Sequence, residues 1–387
     1  MRPIFVLKFD MKHFFPVIDF DYWAICFFAF CGFAFIQLMY CIFIYGRLAF
    51  YKKKKCASTL PPISIIIAAR NEADNIYENL PALLDQNYPN FEVIVVVNQS
   101  TDESKHILQA YQQQYSNLRY TLVEKERHLR AGKKLSLSIG VKSAKNEHLV
   151  LTDADCKPSS RNWLLEISEQ FSEQKQIVLG YGPYLKEKGF LNKLIRFDTA
   201  WIAVNYMSFA LAKVPYMGVG RNLAYTKQVF ESTNGFKSHY AIPSGDDDLF
   251  IQEAAKKKNY TISTHPDGFM YSEAEKNWES WVLQKSRHHT TSSRYQFIKK
   301  ALLGIYPLSL LFVYSFFVIL MVSENFRWLT LAIMVFLIGI KWLIQGRCFY
   351  KLNERSFIGL FVLTDLFYSI LTPILYYTSD NKRTNRW

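Results

Sequence analysis

The sequence lacks several features that mark common protein classes. None of its six cysteines forms a C-x-x-C pair, so neither a zinc site nor a disulfide framework is indicated. This cysteine usage fits a reducing compartment such as the cytosol. Internal repeats and low-complexity tracts are also absent from the sequence.

Acidic residues are fewer than basic ones, 33 against 46, which leaves a net charge of +13. An excess of this size is explained by nucleic acid, by an anionic membrane surface or by a phosphorylated substrate. The basic residues are dispersed and flank apolar segments, as positive charge does around membrane helices. A nucleic-acid partner is therefore not expected, whereas membrane lipids are.

Long hydrophobic runs are present at both ends of the chain. Residues 22–45 carry no charge and are long enough to span a bilayer, which takes about 20 residues. Basic residues at 47 and 52–55 follow this run and predict that the next segment is cytosolic. A cleaved signal peptide is the alternative, but the run is too long and no small-residue cleavage pattern follows.

Three further candidate spans occupy residues 301–322, 328–344 and 357–377. The basic connector 346–356 should be cytosolic, which leaves a basic tail outside, against the positive-inside rule. Either one of these segments is re-entrant or the tail tolerates that side. The predicted organisation is a segment 1–51 with one span, a cytosolic domain 52–300 and a C-terminal region 301–387 with about three transmembrane or re-entrant helices. We expect an integral protein of the plasma (inner) membrane.

Strand and helix patterns alternate through the first part of the middle region. The predicted elements are strands at 63–67, 91–97, 118–123 and 148–152, and helices at 72–86, 102–115 and 133–144. This alternation predicts an α/β domain with a mostly parallel sheet and helices on both faces. Ligands of such sheets bind at the carboxyl ends of the strands.

Two later segments have helical periodicity. Residues 190–213 form an amphipathic pattern that fits either a helix packed on the soluble core or one lying at the membrane interface. Residues 278–300 raise the same question, because they are basic, aromatic and immediately precede a candidate span.

Two acidic clusters are candidates for chemistry. Asp153 and Asp155 follow a predicted strand, where two carboxylates can hold Mg²⁺ or Mn²⁺ together with substrate phosphates. A surface turn is the alternative for so short a motif. The second cluster, Asp246 to Asp248, precedes a predicted helix at 249–258. It can supply a general base for an acceptor hydroxyl or cap that helix.

A polar segment at 284–288 is the third candidate. Arg287 can clamp a phosphate bidentately, and Gln284 can hydrogen-bond an acceptor sugar. Taken alone, the segment also fits a polar surface helix.

The order and spacing of these pieces over residues 61–294 resemble family 2 glycosyltransferases, enzymes with a GT-A (Rossmann-like) fold. Residues 62–72 resemble the family's opening strand and nucleotide-contacting turn, which places Ala69, Arg70 and Glu72 against the nucleotide. Residues 95–102 occupy the second nucleotide motif, with Asn98 and Asp102 as contacts. Asn98 and Gln99 stand where the family usually has two aspartates.

The remaining motifs also follow the family order. The resemblance assigns Lys134 to the nucleotide and Asp153 and Asp155 to the metal-binding D-x-D. Asp247 or Asp246 takes the place of the catalytic base, depending on the register, and Asp247 is favoured. The residues at the acceptor and diphosphate would be Gly220, Arg221, Asn222, Gln284, Arg287 and His288. The histidine replaces the tryptophan of the Q-x-x-R-W motif.

The resemblance implies an inverting transfer of a sugar from a UDP- or GDP-sugar to a lipid-linked or glycan acceptor at the cytosolic membrane face. Mg²⁺ or Mn²⁺ would be the cofactor. The alternative is a catalytically degenerate relative that serves as a membrane binding or scaffold protein, since Asn98 and His288 depart from the family pattern.

Overall fold

The structure is a computed structural model that describes residues 22–53, 60–124, 132–242, 244–256 and 258–379. The first 21 residues, lysines 54 and 55 and the basic tail lie outside these ranges. Their predicted placement relative to the membrane therefore stays a prediction.

A seven-stranded mixed sheet organises the middle of the chain, in the order β3-β2-β1-β4-β7-β6-β8. The first four strands are parallel, and β7 runs antiparallel to both β4 and β6. The strands are β1 (Ile63–Ala69), β2 (Phe91–Asn98), β3 (Leu118–Val123), β4 (His148–Asp153), β6 (Ile177–Leu179), β7 (Leu223–Thr226) and β8 (Tyr260–Ile262). The chain between β4 and β6 contributes β5 (Cys156–Pro158), which pairs with β9 (Met270–Ser272) in a separate ribbon. The predicted mostly parallel α/β sheet is confirmed.

Helices cover both faces of this sheet, because the parallel strands are continuous apolar runs that need burial on each side. One face packs against α3 (Ala73–Leu84), α4 (Ser104–Gln114) and α6 (Trp163–Ser168). The other packs against α5 (Lys133–Ser143), α7 (Phe190–Leu211), α8 (Lys227–Ser232) and α9 (Asp248–Ala254). At the closest approach, a Cβ on Gly140 of α5 would lie 2.5 Å from Cγ2 of Ile66 in β1.

Helix α7 lies between the sheet and the apolar helices. Fifteen of its 22 residues are buried. Tyr206 donates a hydrogen bond to the carbonyl of Gly180 beside the sheet. On the opposite side, Asn205 accepts a hydrogen bond of 2.9 Å from Tyr45. The helix therefore packs on the soluble core and at the same time supports the membrane-associated part.

Three helical segments are long and apolar enough to cross a bilayer: Tyr22–Ala49, α11 (Phe297–Leu320) and α12 (Arg327–Lys351). The first comprises α1 (Tyr22–Met39), a π-helical turn (Tyr40–Tyr45) and α2 (Gly46–Ala49). The chain is thus membrane-associated. In α13 (Phe361–Ser379), the apolar part is the shorter stretch Phe361–Ile374. Helix α12 extends through the first part of the predicted connector and ends at Lys351. Cys348 and Phe349 of this part are buried in the core shared with the sheet domain.

A buried polar network joins these apolar helices. Lys341 of α12 contacts Asp365 of α13 at 2.9 Å and Gln37 of α1 at 3.2 Å. Tyr306 of α11 donates to the same aspartate at 2.6 Å and accepts a hydrogen bond from Gln345. Because all five side chains are almost fully buried, the network ties the helix pairing to specific residues.

Candidate active site

A cavity of about 960 Å³ opens at the carboxyl ends of β1 and β4 and continues between the membrane-associated helices. The predicted site residues on its wall are Arg70, Glu72, Asp153, Asp155, Gly220, Arg221, Asp246, Asp247, Gln284, Arg287 and His288. These residues come from separate stretches between positions 70 and 288. The fold therefore brings most of the motifs, which are distant along the chain, to one site.

Lys133 joins the two acidic segments at the centre of this cavity. Its Nζ lies 2.6 Å from Oδ1 of Asp153 at the end of β4 and 3.4 Å from Oδ2 of Asp246. Burial by itself would lower the pKa of Lys133, but these two carboxylates outweigh that effect and hold the pKa above its ordinary value. The amine is a cation between two anions. The sequence analysis chose its neighbour Lys134 from the lysine pair that begins α5, and the pair was the available signal for Lys133.

Asp153 and Asp155 form the donor set that suits a hard divalent cation. Enclosure by the cavity walls and the nearby charge of Asp153 raise the pKa of Asp155. Burial and the same two aspartates also raise the pKa of Glu72. A cation would relieve this repulsion. Among the described residues, no group of three or more His, Cys, Asp and Glu could hold a metal ion, so substrate oxygens and water would complete the coordination.

The three aspartates at 246–248 have three different environments. Burial would raise the pKa of Asp246, but Lys133 and Lys134 lower it below the ordinary value. Asp247 accepts hydrogen bonds from the backbone N–H groups of Gly220 (2.9 Å) and Asp248 (2.8 Å). Asp248 accepts from the hydroxyls of two residues at the end of α10 (Trp278–Ser292) and just beyond it, Thr291 and Tyr295.

Asp247 is the carboxylate best suited to accept a proton. Burial and the charges of Asp246 and Asp248 raise the pKa of Asp247 to about 7, with Lys133 acting in the opposite direction. A base is most effective when its pKa lies near the working pH. Asp246 is less suited, because its charge is stabilised by the adjacent lysine, and Asp248 is occupied by two hydroxyl donors.

Arg221 is held on the wall of the cavity by aromatic and polar contacts. Its guanidinium carbon lies 4.2 Å from the ring centroid of Tyr184, and it donates a hydrogen bond to Ser272 of β9. Tyr184 in turn donates to Gln284 of α10 at 3.5 Å. The ribbon β5–β9 and α10 therefore fix a cation beside the Asp153–Asp155 segment, where it opposes the rise in the pKa of Asp155.

Lys134 has a different position from the expected nucleotide contact. Its Nζ is buried and donates to the carbonyl oxygens of His239 (2.7 Å), Ile242 (2.7 Å) and Ser244 (2.6 Å). Burial lowers the pKa of this lysine. Lys134 holds the loop that precedes the three aspartates, whereas its neighbour Lys133 faces the cavity. A nucleotide contact by Lys134 therefore stays a prediction that its position does not favour.

Four other expected contacts also lie off the cavity wall. Asn98 is fully buried and donates to Ser136 at 3.0 Å and to the carbonyl of Gly132. Ala69 faces the core beneath α3, because side chains alternate along a strand and Ala68 takes the cavity side. Asp102 accepts hydrogen bonds from Ala73 N and from Ser104. Asn222 donates to the carbonyls of Tyr181 and Gly268 and accepts from Trp163. These side chains are used by loops and packing, and their expected contacts with a ligand stay predictions.

Residues 64–232 match the family model of glycosyl transferase family 2. The chain therefore contains a family 2 glycosyltransferase domain, as its sequence motifs predicted.

Among curated relatives, glycosyltransferase AglE of Haloferax volcanii is 38% identical over 109 residues, which cover 28% of this chain and 34% of that protein. Ceramide glucosyltransferase 3 of Caenorhabditis elegans is 24% identical over 251 residues, covering 62% of this chain and 53% of that one. The chain thus spans between about a third and about half of the length of these relatives. Mannosyltransferase PcManGT from Pyrobaculum calidifontis, solved with GDP-Man and Mn²⁺, covers 89% of this chain and 99% of its own at 18% identity and a TM-score of 0.53. That likeness shows a shared fold.

Proposed function

We propose that the protein is an inverting glycosyltransferase that moves a sugar from a nucleotide sugar to a lipid-linked acceptor at the membrane surface. The observation that carries the proposal is the meeting of the Asp153 and Asp246 segments at Lys133, inside one cavity that reaches the membrane-associated helices. The likeness to a family of glycosyltransferases supports the reaction class.

Proton transfer in this proposal belongs to Asp247. The acceptor hydroxyl approaches its carboxylate, which is oriented by the N–H of Gly220. The carboxylate takes the proton as the oxygen attacks the anomeric carbon from the face opposite the leaving diphosphate. Inversion follows from this single displacement, since no second nucleophile is assigned to the site.

The donor would lie against Arg70, Glu72 and the carboxyl end of β4. Asp153 and Asp155 would hold Mg²⁺ or Mn²⁺, and the bound ion would neutralise the charge that develops on the leaving diphosphate. Arg221 and Arg287 supply further positive charge on the same wall. The GDP-mannose and Mn²⁺ named for PcManGT support this class of donor, which is a GDP- or UDP-sugar.

The acceptor end of the cavity supports a lipid-linked acceptor. Its walls include Leu303, Gly304 and Pro307 of the apolar helix α11 and Pro373 of α13. The name of one relative, ceramide glucosyltransferase 3, gives a lipid acceptor for that protein. We place the sheet domain on the cytosolic face of the plasma (inner) membrane, where nucleotide sugars are made.

The test uses the full-length protein in nanodiscs with a panel of radiolabelled UDP- and GDP-sugars. We expect release of nucleoside diphosphate from one donor, loss of that release with EDTA, and loss of donor binding in Asp155→Ala. Asp247→Asn should retain donor binding and lose transfer. The matched control is Asp85→Asn, an exposed aspartate outside the cavity, which should behave as the unaltered protein.

The same assay separates an enzyme from a degenerate scaffold protein. The proposed transferase would be contradicted if none of the tested donors released nucleoside diphosphate, or if Asp155→Ala released as much as the unaltered protein. Full turnover by Asp247→Asn together with inactivity of Asp246→Asn would assign the role of the base to Asp246 instead.

A further inference from the structure

We propose that the acceptor is an uncharged lipid with a free hydroxyl, such as a diacylglycerol, a ceramide or a neutral glycolipid, rather than a polyprenyl phosphate. This inference rests on the proposed function and narrows its acceptor. It depends on the charges that line the part of the cavity formed by α7, α11 and α13, here termed the acceptor chamber.

The described wall of the acceptor chamber is almost free of charge. Its lining residues are Asp198, Thr199, Trp201, Ile202, Ala203, Asn205 and Tyr206 of α7, Leu303, Gly304, Tyr306 and Pro307 of α11, and Tyr368, Ser369, Thr372 and Pro373 of α13. Asp198 is the one carboxylate in this set, and the set contains no lysine, arginine or histidine. A phosphate group entering here meets no cation from these three helices.

Lys285 of α10, which lines the same cavity, is already neutralised. Lys285 forms an ion pair with Asp198, and both side chains are at least 93% buried. Tyr368 of α13 donates a hydrogen bond to the other oxygen of the same aspartate. The ion pair and this hydrogen bond together join α7, α10 and α13. Releasing Lys285 to bind a phosphate would leave a buried carboxylate without its cation, which is costly.

Arg287 of α10 also lines the cavity, next to His288. It lies one helical turn before Thr291, which donates its hydroxyl to Asp248. This turn of α10 therefore faces the acidic triplet and the donor side. Arg287 is placed to serve the diphosphate of the donor, and the acceptor chamber keeps its balanced charge.

The polar groups that remain in the chamber are suited to hydroxyls. Thr199 carries a hydroxyl group, while Ser369 and Thr372 donate theirs to the carbonyls of Asp365 and Tyr368 and keep their oxygens as acceptors. Uncharged donors and acceptors of this kind orient a sugar or a glycerol hydroxyl without requiring a charge on the ligand. The apolar residues of α11 and α13 fit the lipid chain of the same molecule.

The first experiment presents acceptors in nanodiscs to the full-length protein with its labelled donor. One set contains dioleoylglycerol, ceramide or glucosyl-diacylglycerol, and the other contains undecaprenyl phosphate. Label in a neutral lipid product, with less than about a tenth as much in the phosphorylated lipid, is the expected result. Preferential labelling of undecaprenyl phosphate would overturn the uncharged acceptor and leave the transferase intact. Donor turnover without labelling of any neutral lipid would also overturn the inference. Absence of all donor turnover would instead contradict the proposed function.

Two variants test the role of the ion pair. Asp198→Asn leaves Lys285 without its anion, so the ratio of neutral to phosphorylated acceptor use should fall by about tenfold, the effect of one unpaired charge in a partly enclosed site. The double variant Asp198→Asn with Lys285→Gln restores neutrality and should restore the ratio. Asp85→Asn carries the same charge change outside the cavity and controls for net charge.

Thermal unfolding of each variant identifies any that fails to fold. If Asp198→Asn is unfolded, the folded double variant still tests the proposal, because it must retain the preference for uncharged acceptors. An unchanged ratio in folded Asp198→Asn, or a lost preference in the folded double variant, would refute the assigned role of the pair.

Discussion

Replacing each of the adjacent lysines at the start of α5 by methionine separates a structural role from a chemical one. Lys134 gives three short hydrogen bonds to backbone carbonyls and is buried. Lys133 contacts Asp153 and Asp246 and keeps 19% of its side chain exposed. Methionine preserves the length of the side chain up to Cε in both variants, with sulfur in place of Cδ, and removes the ammonium group.

The magnitude for Lys134→Met follows from its contacts. A hydrogen bond to a charged group contributes about 1.5–3 kcal/mol to stability. The cost of burying the ammonium group offsets part of the total from the three hydrogen bonds of Lys134. We expect a net loss of about 3 kcal/mol, because three carbonyls lose their donor. For a domain of this size the apparent Tm should fall by about 6 °C, measured at one fixed scan rate because unfolding of such proteins is often irreversible.

Lys133→Met should have the opposite profile. Its ion pairs are partly exposed and screened by solvent, so the apparent Tm should change by less than about 2 °C. The kcat/KM for the donor should fall by about tenfold or more, because a cation is lost between Asp153 and Asp246, where the proposed donor diphosphate would bind. Donor kinetics and thermal unfolding are measured on the same preparations.

One result would refute this reasoning. If Lys134→Met retains its Tm within about 1 °C and raises the donor KM as much as Lys133→Met does, then Lys134 contacts the nucleotide, as the family resemblance implied.

The remaining predictions concern pH, packing and the membrane network. Because the pKa of Asp247 is raised to about 7, the base is protonated below that pH, and kcat/KM should fall about tenfold per unit as pH decreases; a flat profile between pH 5 and 8 would contradict its role. Gly180→Ala should lower stability by about 3 kcal/mol, since a Cβ there lies 2.5–2.7 Å from Asn222 atoms; an unchanged Tm would be inconsistent with this packing. Lys341→Met should cost about 3–5 kcal/mol by leaving Asp365 unpaired, and the added change Asp365→Leu should recover most of it in thermal unfolding.

Local sequence patterns were sufficient for strands β1 to β4, the apolar helices and the acidic motifs, but not for the short strands β5 to β9. Runs such as Ile63–Ala69 are mostly apolar and rich in β-branched isoleucine over a length typical of a buried strand. The Asp153–Asp155 motif follows such a strand, and ligands in this fold class bind at strand ends. Hydrophobic period and segment length are properties of neighbouring residues, so they can be read without knowing the rest of the chain.

The roles of adjacent polar residues could not be obtained in that way. Lys133 and Lys134 look equivalent in sequence, but consecutive side chains on a helix point about 100° apart, and one meets the cavity while the other meets the loop before Ser244. The amide of Asn98 is likewise enclosed by α5, which lies more than thirty residues further along the chain.

The sequence by itself determined the element types as far as β4, the order of the motifs and three segments that can cross a membrane, because each depends on short-range composition and spacing. Only the tertiary structure decided which aspartate has a pKa near 7, which lysine faces the cavity and which charge cancels Asp198. These properties depend on burial and on distances to charges from remote segments. Electrostatic interactions of this kind act through space, and the fold alone sets those distances.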